Sequence, residues 1–353
     1  MSTQLEEFRQ PSAEAESEPV RGGRVGGALR RLPDELGVIV ALLAIVAVIG
    51  IPHSDFLQPY NLLRIMSSYA PYGMIACGMV YLLALGEIDL SVGWNWNFSA
   101  VITAKAMIAG VNPWLAALLG ILFGAGLGLV NGLLTVLLGL PAIIITLGTY
   151  SMFWGLSLVV NKSQAVTVAD STTSFFDFAG ATFLTINGQE VIPVTAVIFL
   201  VLGIALQIAF QRTRFGYRVQ AVGANPEAAR LTGIPIALTK VQALTLLGAI
   251  CGLAGALQIG YFASIDPQTG GDFIFTVIAA VIIGGTPLTG GSGTVIGALI
   301  GTLIIASIQS GIIFFGIQAT WSTFVTGAVI IVAVTIDQIV RRQRLRRSVG
   351  GGV

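Results

Sequence analysis

Glu87 and Asp89 are the first residues to invite a chemical reading, because they stand in the short segment Gly86–Gly93 between two long apolar runs. A carboxylate beside lipid is costly and marks a functional site by default. Two roles fit the segment: a part in a transport path or gate, or a structural one in which Asp89 or Ser91 caps the helix that follows. Just beyond it, Asn95, Trp96, Asn97 and Ser99 form a polar-aromatic cluster. Asn95 and Ser99 share one helix face. Amide groups beside an aromatic ring suit a sugar, and hydrogen bonding between helices suits them as well. Asn97-Phe98-Ser99 matches a glycosylation sequon but falls inside an apolar run.

The second set of residues lies in Arg212–Lys240. Asn225 is placed to cap a helix, with Pro226 in its first turn and Glu227 at its positive end. Gly233 ends it in a left-handed conformation and Pro235 forbids continuation. The result is a helix of about two turns with an Ala228–Ala229 small-residue face, too short to be stable alone. It suits a groove on a partner or a place on the membrane surface. The chain has no phosphate-binding Gly-x4-Gly-Lys loop, since no glycine is followed by lysine. No acid–base pair falls within a span, so an enzyme is not expected. His53 has no metal-ligand neighbour. Cys77 and Cys251 sit in apolar runs and read as small buried hydrophobes.

The elements that must position these residues follow from composition. The chain has 353 residues, 55% hydrophobic and 10% charged, with a mean hydropathy of +0.87. That is too little charge to cover a soluble surface, where roughly 25% is usual. Runs of roughly 17–25 apolar residues span a bilayer, and about ten are present: Leu36–Pro52, Ser67–Leu85, Leu90–Ala109, Pro113–Leu138, Ala142–Val160, Ile192–Phe210, Thr239–Phe262, Phe273–Gly285, Thr294–Phe315 and Thr320–Ile339. Phe273–Gly285 is short, either tilted or a half-helix. The expectation is an all-α polytopic membrane protein.

Basic residues gather in three places: the N-terminal tail, Arg212–Lys240, and the C-terminal run from Arg341 to Arg347. Cytoplasmic segments collect Lys and Arg, and ten spans put all three on one side. Both termini are therefore expected in the cytoplasm. Residues 1–33 read as a disordered tail without a signal peptide, 34–340 as the membrane domain, and 341–353 as a basic tail. The Lys162–Glu190 loop falls outside. A net charge of +1 predicts no nucleic-acid partner. Gly120, Gly124, Gly128 and Gly132 recur every four residues and form one smooth helix stripe, and Gly248/Gly252 and Gly297/Gly301 repeat the device; all read as packing seams.

Gly223-Ala224-Asn225-Pro226-Glu227-Ala228-Ala229-Arg230-Leu231-Thr232-Gly233-Ile234 resembles the coupling motif of ABC-importer permeases of the ribose/xylose/galactose type. Gly86-Glu87-Ile88-Asp89-Leu90-Ser91-Val92-Gly93 resembles their Gly-Gly-Ile-Asp-Leu-Ser-Val-Gly signature, with Glu87 in place of a glycine. Pro141–Thr149 and Gly284–Thr294 are similar to two further stretches. The resemblance implies an ABC-importer transmembrane domain that moves a monosaccharide across a bacterial cytoplasmic membrane by alternating access. It implies a cytoplasmic ATPase that holds ATP and Mg, a second permease copy or homologue, and an extracytoplasmic sugar-binding protein, with no cofactor in this chain. Asn225, Glu227, Ala228, Ala229, Arg230 and Gly233 would couple to the ATPase. Branched-chain amino acids or nucleosides are the alternative cargo, and an ion-coupled transporter the alternative mechanism.

Overall fold

A computed structural model describes residues 34–181, 185–186, 189–190, 193–332 and 335. The expected tails 1–33 and 341–353 lie outside the described residues, as do parts of the Lys162–Glu190 loop and the end of the tenth expected span. The described residues form an all-α bundle: α1 Asp34–Gly50, α2 Pro59–Ala84, α3 Val92–Ile108, α4 Pro113–Leu138, α5 Ala142–Asn161, α6 Ser174–Gly180, α7 Val194–Arg212, α8 Arg214–Ala224, α9 Pro226–Leu231, α10 Ile236–Phe262, α11 Phe273–Ile283, α12 Val295–Phe314 and α13 Ser322–Val332. Two-residue strands pair Val166–Thr167 with Ser264–Ile265 and Thr185–Ile186 with Gln189–Glu190, both antiparallel.

Helices α4, α5, α7, α10 and α12 are each long and apolar enough to cross a membrane, and α1, α11 and α13 are shorter apolar helices. Helices α2 and α3 carry more polar groups because their lower ends are shielded from lipid: Gly73–Ala84 and Val92–Val101 are buried almost without interruption. Helix α4 has the sharpest punctuation. Asn112 accepts a hydrogen bond from the Trp114 N–H at 3.0 Å, Pro113 opens the helix, and Gly139 closes it in a left-handed conformation. Its bounds are those the sequence predicts.

The glycine stripe of α4 packs against α10 in antiparallel register. A Cβ on Gly120 would meet Thr103 of α3; on Gly124, Gly248 and Gly252; on Gly128, Leu244 and Gly248; on Gly132, Val241. Gly255 of α10 is equally close to the α3 backbone at Trp96 and Ala100. The absent side chains thus bring α3, α4 and α10 together backbone to backbone. Gly297 and Gly301 do the same for α12 against α11.

Helix α11 has 11 residues, about 16 Å at 1.5 Å per residue. That is roughly half the hydrocarbon thickness, so the short eighth run is a half-length helix. The irregular segment 284–294 links it to α12, with Thr286 and Pro287 buried and Leu288, Thr289 and Ser292 exposed. Gln207 of α7 reaches into it and accepts the N–H of Val295 at 2.7 Å, capping α12 together with Thr294.

Candidate functional site

The loop between α2 and α3 lies where five helices converge. Glu87 Oε2 accepts the Ala142 N–H at 2.8 Å, one of the donors left open at the start of α5, where the helix favours negative charge. Glu87 Oε1 pairs with Lys240 Nζ of α10. The Leu90 N–H donates to Thr146 Oγ1 of α5 at 3.0 Å. Asp89 Oδ1 accepts from the Ser91 N–H at 2.7 Å and the Ser91 hydroxyl at 2.6 Å. Asn131 Nδ2 of α4 donates to Ser91 Oγ at 2.9 Å and lies 3.4 Å from Asp89 Oδ2. Burial pushes the Asp89 carboxyl above its ordinary value, and the donors from Ser91 and Asn131 pull against it.

The capping role expected of Asp89 or Ser91 is corrected here. Ser91 stands at the N-cap of α3 by position, but its side chain accepts nothing from the helix backbone. Its hydroxyl is committed to Asp89, which folds the loop through an Asx turn.

The segment 284–294 docks beside this loop. The Gly291 N–H donates to the Ala84 carbonyl at 2.8 Å. A Cβ on Gly223 would collide with that same carbonyl and with the Gly291 nitrogen, so glycine is required where α8 ends. The Glu87 loop, the 284–294 segment and the α8–α9 unit therefore form one contiguous end of the bundle.

Residues 213–234 hold two helices where the sequence predicts one. Thr213 caps α8 by accepting the Gly216 N–H, and Val219 and Val222 are buried beneath it. The ring of Phe215 stacks on Tyr81 of α2 at 5.6 Å. Asn225 accepts the Ala228 N–H at 3.0 Å and caps α9, as predicted. Gly233, with φ of 80°, closes it, and the Ile234 N–H returns to the Ala229 carbonyl at 3.0 Å. The Ala228–Ala229 face is not a single surface: neighbouring helix positions diverge by about 100°. Ala229 is buried against the bundle, whereas Glu227, Ala228, Arg230 and Leu231 are exposed.

The Asn95–Ser99 cluster is buried and engaged in packing. Asn95 Nδ2 donates to the Gly124 carbonyl at 3.2 Å, and its Oδ1 accepts from Ser99. Asn97 Nδ2 donates to the carbonyls of Asp266 and Thr269, and its Oδ1 accepts from Ser157. The Trp96 ring stacks on Phe273 at 4.5 Å. Asn131 and Gln207 escaped the sequence reading, and Lys240 was legible there as a charge of the basic segment but not as the partner of Glu87. Lys240 lies in the second turn of α10, which starts at Ile236 rather than Thr239. Asn131 and Gln207 are polar side chains within apolar runs, and that was their only signal.

A sequence profile described as branched-chain amino acid transport system / permease component matches residues 61–334. The chain belongs to this permease family. It is similar to the ribose import permease of Bacillus subtilis, 36% identical over 86% of this chain and 92% of the relative. The L-arabinose ABC transporter permease of Azospirillum brasilense is 33% identical over 95% of both chains, and the D-allose permease of Escherichia coli is 34% identical over 88% and 93%. A metal-chelate-type ABC transporter in an inward-facing conformation shares the fold, with a TM-score of 0.50 at 14% identity over 85% of this chain and 97% of that one. The permease is a multi-pass membrane protein and a transport subunit, not an enzyme.

In this permease Lys240 and Glu87 are 27% and 10% exposed, so the pair is shielded enough for its loss to register. Lys240→Met leaves a carboxylate without its cation, and we expect a loss of about 2 kcal/mol. The double variant Lys240→Met with Glu87→Gln recovers most of it, because the glutamine carbonyl still accepts the Ala142 N–H. Thermal midpoints in detergent read both. A Lys240→Met protein as stable as wild type would show that the pair contributes nothing.

Proposed function

We propose that this chain is the membrane subunit of an ATP-driven importer that carries a monosaccharide or related polyol across the bacterial cytoplasmic membrane by alternating access. The observation that carries the reading is the run of relatives, aligned over most of their length, whose names specify ribose, L-arabinose and D-allose. Residues 34–340 are the permease domain, with 1–33 and 341–353 as cytoplasmic tails. The end of the bundle bearing α8 and α9 faces the cytoplasm, since it carries Arg212, Arg214, Arg218, Arg230 and Lys240.

In this reading Asn225 and Gly233 fix the ends of α9, and Glu227, Ala228 and Arg230 meet the ATPase, where ATP and Mg bind. Ala229 seats α9 on the bundle. Two permease chains share the pathway, and a binding protein delivers the sugar. We assign Glu87, Asp89, Ser91, Asn95, Trp96, Asn97 and Ser99 to holding the bundle around the path, because the polar groups of six of them are engaged within the protein and Trp96, whose indole N–H has no partner among the described residues, is stacked on Phe273.

The test is a ligand screen of the partner binding protein by thermal shift, followed by uptake into vesicles. A ligand present at a hundred times its Kd stabilises by about 2.7 kcal/mol. A pentose, hexose or polyol is expected to give that shift, and uptake is expected to require ATP. A shift with leucine or a nucleoside alone would transfer the cargo to that class, and uptake on an ion gradient without ATP would overturn the importer.

A further inference from the structure

A cavity of about 380 Å³ lies among α2, α11, α12 and α13, near the end of the bundle opposite α8 and α9. Its size is at the lower end of the roughly 300–1,000 Å³ typical of small-molecule sites. Its wall is mixed: apolar surface from Phe275 and Ile330 is interrupted by Asp272, Gln309 and Thr323, polar groups that are costly to place near lipid. Gln309 is held in a chain of hydrogen bonds: the Tyr69 hydroxyl donates to its Oε1 at 2.5 Å, and its Nε2 donates to Thr326 Oγ1 at 2.8 Å. Those bonds fix the amide while leaving it in the lining. The Asp272 carboxylate is exposed, and no donor or cation among the described residues engages it. Phe275 is 54% exposed and presents a ring to the same space. Behind the cavity a column of rings gives the wall rigidity: Tyr72 stacks on Phe273 at 4.0 Å, and Phe273 on Trp96 at 4.5 Å.

We propose that this cavity is an intramembrane subsite for an uncharged polyhydroxy ligand. The inference rests on the importer reading and narrows it. A carboxylate accepts two hydroxyl protons, a fixed amide offers a donor and an acceptor, and an exposed ring matches the C–H face of a sugar. The described lining contains no lysine or arginine. A free amino acid could turn its ammonium to Asp272, but its carboxylate would find no lysine or arginine in the described lining to replace lost water. The lining therefore leaves one charge of an amino acid without a counter-ion, a cost that a neutral sugar does not meet.

The experiment places a cysteine at Phe275 in the complete complex with its ATPase and binding protein, and measures modification by a membrane-impermeant methanethiosulfonate. The native Cys77 and Cys251 are fully buried and leave a silent background. D-ribose or L-arabinose is expected to slow modification about ten-fold, and L-leucine to leave it unchanged. Asp272→Asn is expected to weaken that protection and raise the KM for sugar by about ten-fold. Thr323→Cys, also exposed in the lining, supplies a second label should Phe275→Cys fold poorly. A complex that takes up sugar while both cysteines stay unprotected overturns the subsite and leaves the importer standing. A complex that takes up leucine instead overturns the sugar-importer reading, and protection by leucine overturns the neutral-ligand assignment.

Discussion

Gly128→Leu is expected to abolish accumulation of folded protein, whereas Gly126→Leu, two residues away on the same helix, is expected to leave it unchanged. A Cβ on Gly128 would meet the Leu244 carbonyl and the Gly248 Cα, which are backbone atoms with no rotamer to change. The helices would have to part along a seam that runs from Gly120 to Gly132. Overpacking by a few methylenes costs about 1–3 kcal/mol even where side chains yield, and here none can. We expect about 3 kcal/mol or more, a large share of the stability of a typical domain. A Cβ on Gly126 finds open space within 4 Å, and leucine there gains about 1 kcal/mol in helix propensity. Yield and size-exclusion profile of the two variants decide the matter. Equal behaviour of the pair would show that the α4–α10 seam is not tightly packed.

The second large effect concerns α9. Leu231 is 81% exposed, and it lies three residues after Ala228 on the same outward face. On the importer reading this face enters the ATPase. Leu231→Asp then buries a charge in a partner groove, which costs about 2 kcal/mol or more for a central contact, on the order of thirty-fold in association. The ATPase is expected to stop co-purifying and uptake to fall with it. The thermal midpoint of the isolated permease stays at the wild-type value, because an exposed side chain holds nothing in place. Reversal of both charges, Glu227→Arg with Arg230→Glu, is expected to act in the same direction. Gly233→Val is expected to add a cost of about 1–2 kcal/mol from its left-handed backbone and to loosen the end of α9. Normal co-purification and uptake in all three variants would place the ATPase contact elsewhere.

The parts legible in the sequence were those governed by local chemistry. Helix α4 was readable to the residue because Asn112, Pro113 and Gly139 punctuate it. The ends of α9 were readable because Asn225, Pro226 and Gly233 each admit few alternatives. The glycine stripe announced a seam, though not which helix would meet it. Contacts across long sequence distances were hidden. Glu87 and Lys240 are 153 positions apart, and Asn131 meets a loop 40 positions before it. Helix α8 was missed because it is mixed in polarity and buries only Gly216, Val219 and Val222. The Tyr72–Asp272–Gln309 cavity draws on four separated helices, none of which carries a local motif for it.

The antiparallel seam also has a mechanical meaning. Where helices meet backbone to backbone no rotamer can absorb a displacement, and close-packed interiors transmit strain. Helices α3, α4 and α10 are joined in that way, and α9 ends only five residues before α10 begins. On the importer reading, a push delivered at α9 would enter at the foot of this three-helix unit and be carried along it to the far end.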